Sequence, residues 1–550
     1  MADNMIARWS NGWRPFLLLG LLCLGLYLPG IAALPPTDRD EARFAQATRQ
    51  MLETGDWLHI RFQNEARNQK PAGIYWLQAL SVTTTSDAAS PAIWPYRLPS
   101  LVGAIAAVLL TFALGRNLVG APAALLGAAL LAASLSLTVE AHLAKTDAAL
   151  LACVVAAQLA LAEIYRAGRA KQTVPWPWAL LFWAALGAGA LIKGPVAPLL
   201  AALTVAALLL ADRQAGWLKA LRAWWGVPLA ILMVGPWLVV MMRATNDTFI
   251  AGSLGSDFFG KIVGVQQSHG APPGTYLLLL ALIFWPGSLF AAAGVRRAWQ
   301  EREQPTPRFL LAWIVPFWVA LELVPTKLPH YLLPLLPALA LLAAHALFNA
   351  DAGPRALRIV VAVLWTAATL ALAATLALSP ALLGAEPLPV GIAAGLIVLG
   401  GGGALLWRYW SKPRPALAAG AVVLALIAVV PGFSRVVPSL DRVWLSRGAA
   451  SLVTQVRPKD ESPVAIVGYD EPSLVFLLGT ATKPLDAAAA AHYVAATPNG
   501  LALVEARDDD AFRHALAGLG RTPRALGHVD GIDYSNGKRM TLTLYAAPAG

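Results

Sequence analysis

Apolar runs long enough to cross a bilayer recur from Phe16 to Val430, separated by short polar, proline or glycine connections. A hydrocarbon core of about 30 Å needs about 20 mostly apolar residues per helix. On that measure the chain predicts about thirteen spans, near 14–34, 96–115, 119–140, 147–165, 177–192, 195–211, 224–242, 275–294, 308–324, 329–348, 357–378, 387–407 and 415–431. The first run is too long, and too poorly flanked by small residues, for a cleaved signal peptide, so it is expected to remain as a helix. Beyond 436 the pattern changes. Val464–Tyr469, Leu474–Leu478 and Leu501–Glu505 read as strands, Asp486–Thr497 and Asp510–Leu519 as helices, and Asn536-Gly537 as a hairpin turn between Ile532–Tyr534 and Met540–Tyr545. The pattern predicts an all-α polytopic membrane domain over 1–435, with outer loops at 35–95 and 244–273, and a small C-terminal α/β domain over 436–550.

Composition agrees. Of 550 residues 57% are hydrophobic and 13% charged, against roughly 45–50% and 25% in soluble domains, which excludes a soluble enzyme. The formal charge of +11 is a topology signal before it is a nucleic-acid signal. Arg8 and Arg14, Arg116, Arg166/Arg169/Lys171, Arg213/Lys219/Arg222, Arg296/Arg297/Arg302/Arg308, Arg355/Arg358 and Arg408/Lys412/Arg414 occupy the N-terminus and every second connection, which marks those sides as cytoplasmic. An odd number of spans then places the N-terminus inside and the C-terminal domain outside. Cys23 and Cys153 lie inside apolar runs and suggest neither a disulfide framework nor a zinc site.

The first outer loop contains Thr37-Asp38-Arg39-Asp40-Glu41-Ala42-Arg43-Phe44, and Phe44, Thr48, Met51 and Leu52 follow at helical spacing. This reads as an amphipathic helix on the membrane surface. Asp38 with Glu41 satisfies a capping box and leaves Asp40 over. At about 100° per residue Asp40 lies about 40° from Phe44, so its carboxylate is expected to face the protein or headgroup layer. Asp147 opens the fourth span after His142-Leu143-Ala144-Lys145-Thr146; helix capping is the plain alternative there. Two carboxylates at one face can orient sugar hydroxyls, take a proton, or hold a divalent cation.

Besides Lys145, four lysines run against the positive-inside bias: Lys70, Lys193, Lys327 and Lys261. The first three stand just ahead of a proline that starts or restarts a helix, where a lysine and free N–H groups would make an anion site, although snorkelling accounts for any one of them. Tyr75, Trp76, Trp94, Tyr96 and Trp237 read as interfacial aromatics. His269 is pinned in a Gly/Pro-rich loop, and with His142 and His330 it could contact substrate or join Asp40 and Asp147 at a metal, without zinc-type spacing.

Asp40-Glu41-Ala42-Arg43, Met51-Leu52-Glu53-Thr54-Gly55-Asp56-Trp57 and Lys70-Pro71-Ala72-Gly73-Ile74-Tyr75-Trp76-Leu77 resemble the first-loop signature of bacterial membrane glycosyltransferases of the aminoarabinose transferase and protein O-mannosyltransferase superfamily. Thr146-Asp147-Ala148, Lys193-Gly194-Pro195, Gly235-Pro236-Trp237, Lys327-Leu328-Pro329-His330-Tyr331 and Gly468-Tyr469-Asp470-Glu471-Pro472 are similar to later motifs, so the resemblance covers the chain. It implies a GT-C fold, a sugar donor on polyprenyl phosphate, and transfer of 4-amino-4-deoxy-L-arabinose from undecaprenyl phosphate to lipid A. Protein, lipopolysaccharide core or another envelope glycan is the alternative acceptor, by mannosyl or galacturonosyl transfer for example. A lipid or sugar transporter fits less well, because the ionisable residues collect at one face. The expected site comprises Asp40, Glu41 and Asp147 as catalytic groups; Arg43, Lys70, Tyr75, Lys193, Lys261, Lys327 and Tyr331 around the donor phosphate; and His269, His330 and His142 near substrate or a divalent cation. No nucleic acid and no required cofactor are expected.

Overall fold

The computed structural model describes residues 9–244 and 270–546, apart from 38, 68–69, 89, 352, 385, 412–413 and 458–461. Among these, nine helices are long and apolar enough to cross a membrane, and a bent pair, Ala121–Ala132 with Leu135–Ala141, makes a tenth. The other expected spans are apolar but short or broken: Arg14–Tyr27, Val196–Asp212, and a segment split into Thr275–Ile283 and Ser288–Gln300. Pro286-Gly287 accounts for the last break, since proline removes a donor inside a helix. The two breaks meet: Leu135 N–H donates to the Trp285 carbonyl at 3.0 Å, which satisfies irregular backbone where lipid could not.

Two close approaches set the geometry around the first loop. A side chain at Gly73 would meet the Leu191 carbonyl oxygen at 2.7 Å, and one at Gly103 would meet the Ala149 backbone at 2.7 Å. Glycine at these points lets helix Gly73–Thr85 press against Trp176–Lys193 and helix Trp94–Leu118 against Asp147–Arg169. The connections 28–37, 142–146, 193–195 and 324–335 are thereby gathered at one end of the bundle. At the opposite end Asp212 joins Tyr165, at 2.6 Å, with Arg169 and Arg308.

The amphipathic segment forms the helix Asp40–Thr54, closed by Gly55 at φ 70°, the left-handed cap that glycine favours. It does not simply lie on lipid. Phe44, Ala47 and Met51 join the membrane core, while Gln46 donates to Thr480 at 2.7 Å and Arg49 to the Phe476 carbonyl at 3.0 Å. The helix is clamped between the bundle and the C-terminal segment. Tyr75, Tyr96 and Trp237, expected at the lipid interface, are buried.

The C-terminal segment carries strands β3 (Val464–Val467), β4 (Lys483–Pro484), β5 (Leu501–Glu505), β6 (Arg524–Asp533) and β7 (Lys538–Ala546); a two-stranded hairpin in the first loop, Arg61–Phe62 with Glu65–Ala66, supplies β1 and β2. The sheet order is β4-β3-β5-β7-β6, with β3 parallel to β4 and β5 and the remaining pairs antiparallel. Alternate residues of β3 face opposite sides: Val464 and Ile466 pack under helix Leu445–Val456, and Ala465 and Val467 under Ala487–Ala496 and Asp509–Gly518. Leu474–Leu478 is not a strand but the end of the helix Pro472–Leu478. A short run buried on every side has no period to reveal its type, and Pro472 at the first helical position starts the turn.

Candidate active site

At one end of the bundle the structure brings together two clusters of charge. The first is built on Asp147, the opening residue of helix Asp147–Arg169. Its carboxylate lies 2.5 Å from Lys193 Nζ, 3.9 Å from Lys145 Nζ and 3.9 Å from His330 Nε2. Lys145 also lies 3.3 Å from Glu140, whose second carboxylate oxygen is buried without a hydrogen-bond partner. The Tyr331 ring stands 5.8 Å from Lys193 Nζ and packs edge-on against His330. Expected residues Asp147, Lys193, His330 and Tyr331 thus share one site, and Glu140 joins them unforeseen. An ionisable residue inside an apolar run is itself a functional signal, and Glu140 carried it.

The second cluster surrounds the start of helix Asp40–Thr54. Asp40 is exposed instead of turned into the protein, yet its charge acts on Arg43, Tyr75 and Lys145. It therefore stands near enough to all three for its charge to be felt. Arg43 is half-buried; burial first and the neighbouring Arg67 charge second push its guanidinium below the usual arginine range, against the pull of Asp40 and Glu471. Glu471 comes from the C-terminal segment. It accepts from Ser535 at 2.9 Å and lies 3.8 Å from Arg39.

Several expected roles change. Glu41 is fully buried and accepts from Arg97 at 2.7 and 3.0 Å, from the Thr37 N–H at 2.9 Å and from the Ala144 N–H at 2.8 Å. Burial raises its carboxyl, but Arg97 and the two N–H groups outweigh this and hold it below the usual carboxylate range. Arg97 in turn donates to the carbonyls of Ile31, Leu34 and Pro35. Every acceptor position of Glu41 is thus occupied, and the residue pins the first loop to the bundle instead of facing substrate. The capping box is also absent in the expected form: Arg39 occupies the cap position, no side chain caps the helix, and Asp38 is outside the described residues.

Lys327 is buried, and its ammonium donates to the carbonyls of Leu321, Glu322 and Val324 at 3.2, 2.9 and 2.8 Å. It closes the C-terminus of helix Pro305–Leu323, where a cation suits the dipole, and three carbonyls occupy its three protons. Lys193 likewise ends a helix, Trp176–Lys193, rather than preceding one alone. Tyr75 is buried, with its hydroxyl accepting from Arg67 Nε at 3.0 Å, so it supports a cation rather than meeting a phosphate itself. His142 is buried, stacked on Phe433 at 4.4 Å, with ring nitrogens 2.7 and 2.9 Å from the Thr138 and Pro29 carbonyls; it knits three segments together and faces no site. Lys70 is half-buried just before helix Gly73–Thr85. Lys261 and His269 lie outside the described residues. Among the described residues no group of three His, Cys, Asp or Glu could hold a metal ion.

A multi-spanning helical bundle whose carboxylates and cations converge at one membrane face, capped by a small α/β unit, is the architecture of a membrane glycosyltransferase. Comparison with known proteins agrees. Residues 69–240 match the family model for dolichyl-phosphate-mannose-protein mannosyltransferase. The chain is 31% identical, over 433 residues, to the undecaprenyl phosphate-alpha-4-amino-4-deoxy-L-arabinose arabinosyl transferase of Pseudomonas paraeruginosa, covering 76% of this chain and 74% of that one. The Pseudomonas aeruginosa enzyme of the same name is 31% identical over 335 residues, 60% and 57% of the two chains. The crystal structure of ArnT from Cupriavidus metallidurans bound to undecaprenyl phosphate superposes with a TM-score of 0.70 over 96% of this chain and 97% of that one, at 18% identity. The chain belongs to the undecaprenyl phosphate-aminoarabinose arabinosyl transferase family.

Proposed function

We propose that this chain moves 4-amino-4-deoxy-L-arabinose from undecaprenyl phosphate to lipid A at the outer face of a bacterial inner membrane. In this reading the N-terminus is cytoplasmic, residues 1–435 form the transferase domain, and 436–550 lie in the periplasm. The observation that carries it is placement: Asp40, Arg43, Asp147, Lys193 and His330 converge at one end of the bundle, while the arginine-rich connections occupy the other, which the positive-inside rule makes cytoplasmic. The relatives' names supply the sugar and its carrier.

The chemistry follows from the charges. The bond from the anomeric carbon to the donor phosphate oxygen breaks, a bond to an acceptor oxygen forms on the opposite face, and undecaprenyl phosphate leaves, with inversion. Negative charge grows on the departing phosphate and must meet fixed cations in a water-poor site, for which Lys70 and Arg43 are the candidates. A lipid phosphate acceptor is already ionised near neutral pH and needs no base, so Asp40 and Asp147 orient the sugar, with Asp147 fixed by Lys193.

The match to a protein mannosyltransferase model favours a protein acceptor as second reading. Purified protein supplied with undecaprenyl phosphate-aminoarabinose and lipid A should yield lipid A carrying the added sugar, read by mass spectrometry, and should be inert with a nucleotide sugar. Transfer to peptide and never to lipid A would select the second reading; activity with the nucleotide sugar alone would refute the donor.

A further inference from the structure

Arg67 follows the β1–β2 hairpin and is 8% exposed. Its backbone N–H is bonded to the Ile60 carbonyl at 2.8 Å, its guanidinium lies 4.9 Å over the Phe44 ring, and its Nε donates to the Tyr75 hydroxyl. Phe44 and Tyr75 are both buried, with ring centroids 5.3 Å apart, so a cradle of two rings fixes the guanidinium plane. Among the described residues no carboxylate lies within ion-pairing distance of it. That is unusual, because arginine stays protonated in proteins and buried charges are ordinarily paired.

The other cations around the site are answered by acceptors. Arg97 faces Glu41, Lys193 faces Asp147, Lys145 faces Glu140, and Lys327 faces three carbonyls. Arg67 instead lies over the ring of Phe44, whose chain neighbour Arg43 is a second arginine with no ion pair among the described residues, and its charge reaches that guanidinium. Two partly desolvated guanidinium groups that feel one another's charge repel unless an anion answers both, and their planar forks match the oxygens of a phosphate in bidentate fashion.

We propose that Arg67 and Arg43 together seat the phosphate of one of the two lipid substrates, with Arg67, held by Phe44 and Tyr75, fixing its orientation. The proposal rests on the transferase reading for the identity of the lipids. Its chemistry, a phosphate ester, is shared by the polyprenyl phosphate donor and a phosphorylated lipid acceptor.

The test uses full-length protein in nanodiscs, with wild type, Arg67→Gln, Arg67→Lys and Arg43→Gln titrated against undecaprenyl phosphate, diphosphorylated lipid A and dephosphorylated lipid A. Arg67→Gln and Arg43→Gln should each weaken binding of one phosphorylated lipid roughly 10- to 100-fold, the loss of a charge-assisted hydrogen bond, and leave the dephosphorylated lipid unaffected. Weakening confined to undecaprenyl phosphate makes it the donor seat; weakening confined to diphosphorylated lipid A makes it the acceptor seat. Arg67→Lys keeps the charge and loses the fork, so its affinity should fall several-fold. Wild-type affinity for both phosphorylated lipids in folded Arg67→Gln overturns the proposal, and if that variant does not fold, wild-type affinity in Arg67→Lys does so. Lost undecaprenyl phosphate binding in a protein that never modifies lipid A would leave the seat standing and reject the acceptor reading instead.

Discussion

Lys193 at the end of one membrane helix reaches 2.5 Å to Asp147 at the start of another. The cation sits at a helix C-terminus and the carboxylate at a helix N-terminus, so each residue also complements its own helix dipole. Both side chains are largely shielded from water, at 14% and 6% exposure, and removing either partner leaves a charge without its counter-ion. Asp147→Asn and Lys193→Ala should each lower the transfer rate on the order of 10²-fold, the scale of a misplaced reacting group. The double variant should lose much less than the product of the two. Independent, multiplicative losses in a double-mutant cycle would show that the pair does not act as a unit.

Asp40 and Glu41 are adjacent in sequence and separable in role. Glu41 is buried against Arg97, so Glu41→Gln or Arg97→Ala should cost about 3–5 kcal/mol of stability and appear as a lowered melting midpoint. Asp40 is exposed, and Asp40→Asn should melt like wild type while losing at least about 10-fold in rate. Melting and activity measured on the same preparations decide between them. A destabilised Asp40→Asn, or a fully active one, would contradict the assignment.

Those two residues also show how much was readable beforehand. Hydropathy predicted the spans, whereas the capping box that was to set Asp40 apart from its neighbour does not form, with Arg39 at the cap position and no side chain capping the helix. The partner of Glu41 could not be read, because Arg97 lies 56 residues away and periodicity carries no long-range pairing. Its signal was a charge one turn inside an apolar helix. Arg67 gave no signal at all, since it lies in a loop whose neighbours have no period. Lys327 misled because a lysine before a proline is also a lysine after the end of the preceding helix, where the carbonyls are.

Glu471 predicts a pH effect. Burial raises its carboxyl above the usual range, and the Ser535 hydrogen bond and the Arg39 and Arg43 charges only partly offset this. A carboxyl raised on folding contributes stability that is fully present below its unfolded value and lost as pH rises through its folded value. Packing of the C-terminal segment on helix Asp40–Thr54 should therefore loosen as pH climbs just past the ordinary carboxylate range. Glu41, whose carboxyl is lowered, acts oppositely, losing its contribution only as pH falls below that range. Hydrogen-exchange protection factors of residues 473–478, corrected for the intrinsic pH dependence of exchange, should fall across the upper window in wild type and stay flat in Glu471→Gln. Equal slopes would assign the effect elsewhere.

Lys70 and Lys327 were expected to do the same work, and the structure separates them. The Lys327 ammonium satisfies three carbonyls at a helix end, so Lys327→Ala leaves buried acceptors unpaired and should cost about 1–3 kcal/mol. Because those carbonyls engage it fully, the affinity of the folded fraction for undecaprenyl phosphate should not change. Lys70 stands before helix Gly73–Thr85, whose free N–H groups favour an anion. Lys70→Ala should weaken undecaprenyl phosphate binding by roughly 10-fold or more, with Lys70→Arg retaining part of it because the charge survives and the geometry does not. Titration of both variants with undecaprenyl phosphate, paired with their melting curves, gives the answer. Weakened lipid binding in stable Lys327→Ala would return that lysine to the phosphate site, and normal binding in Lys70→Ala would remove Lys70 from it.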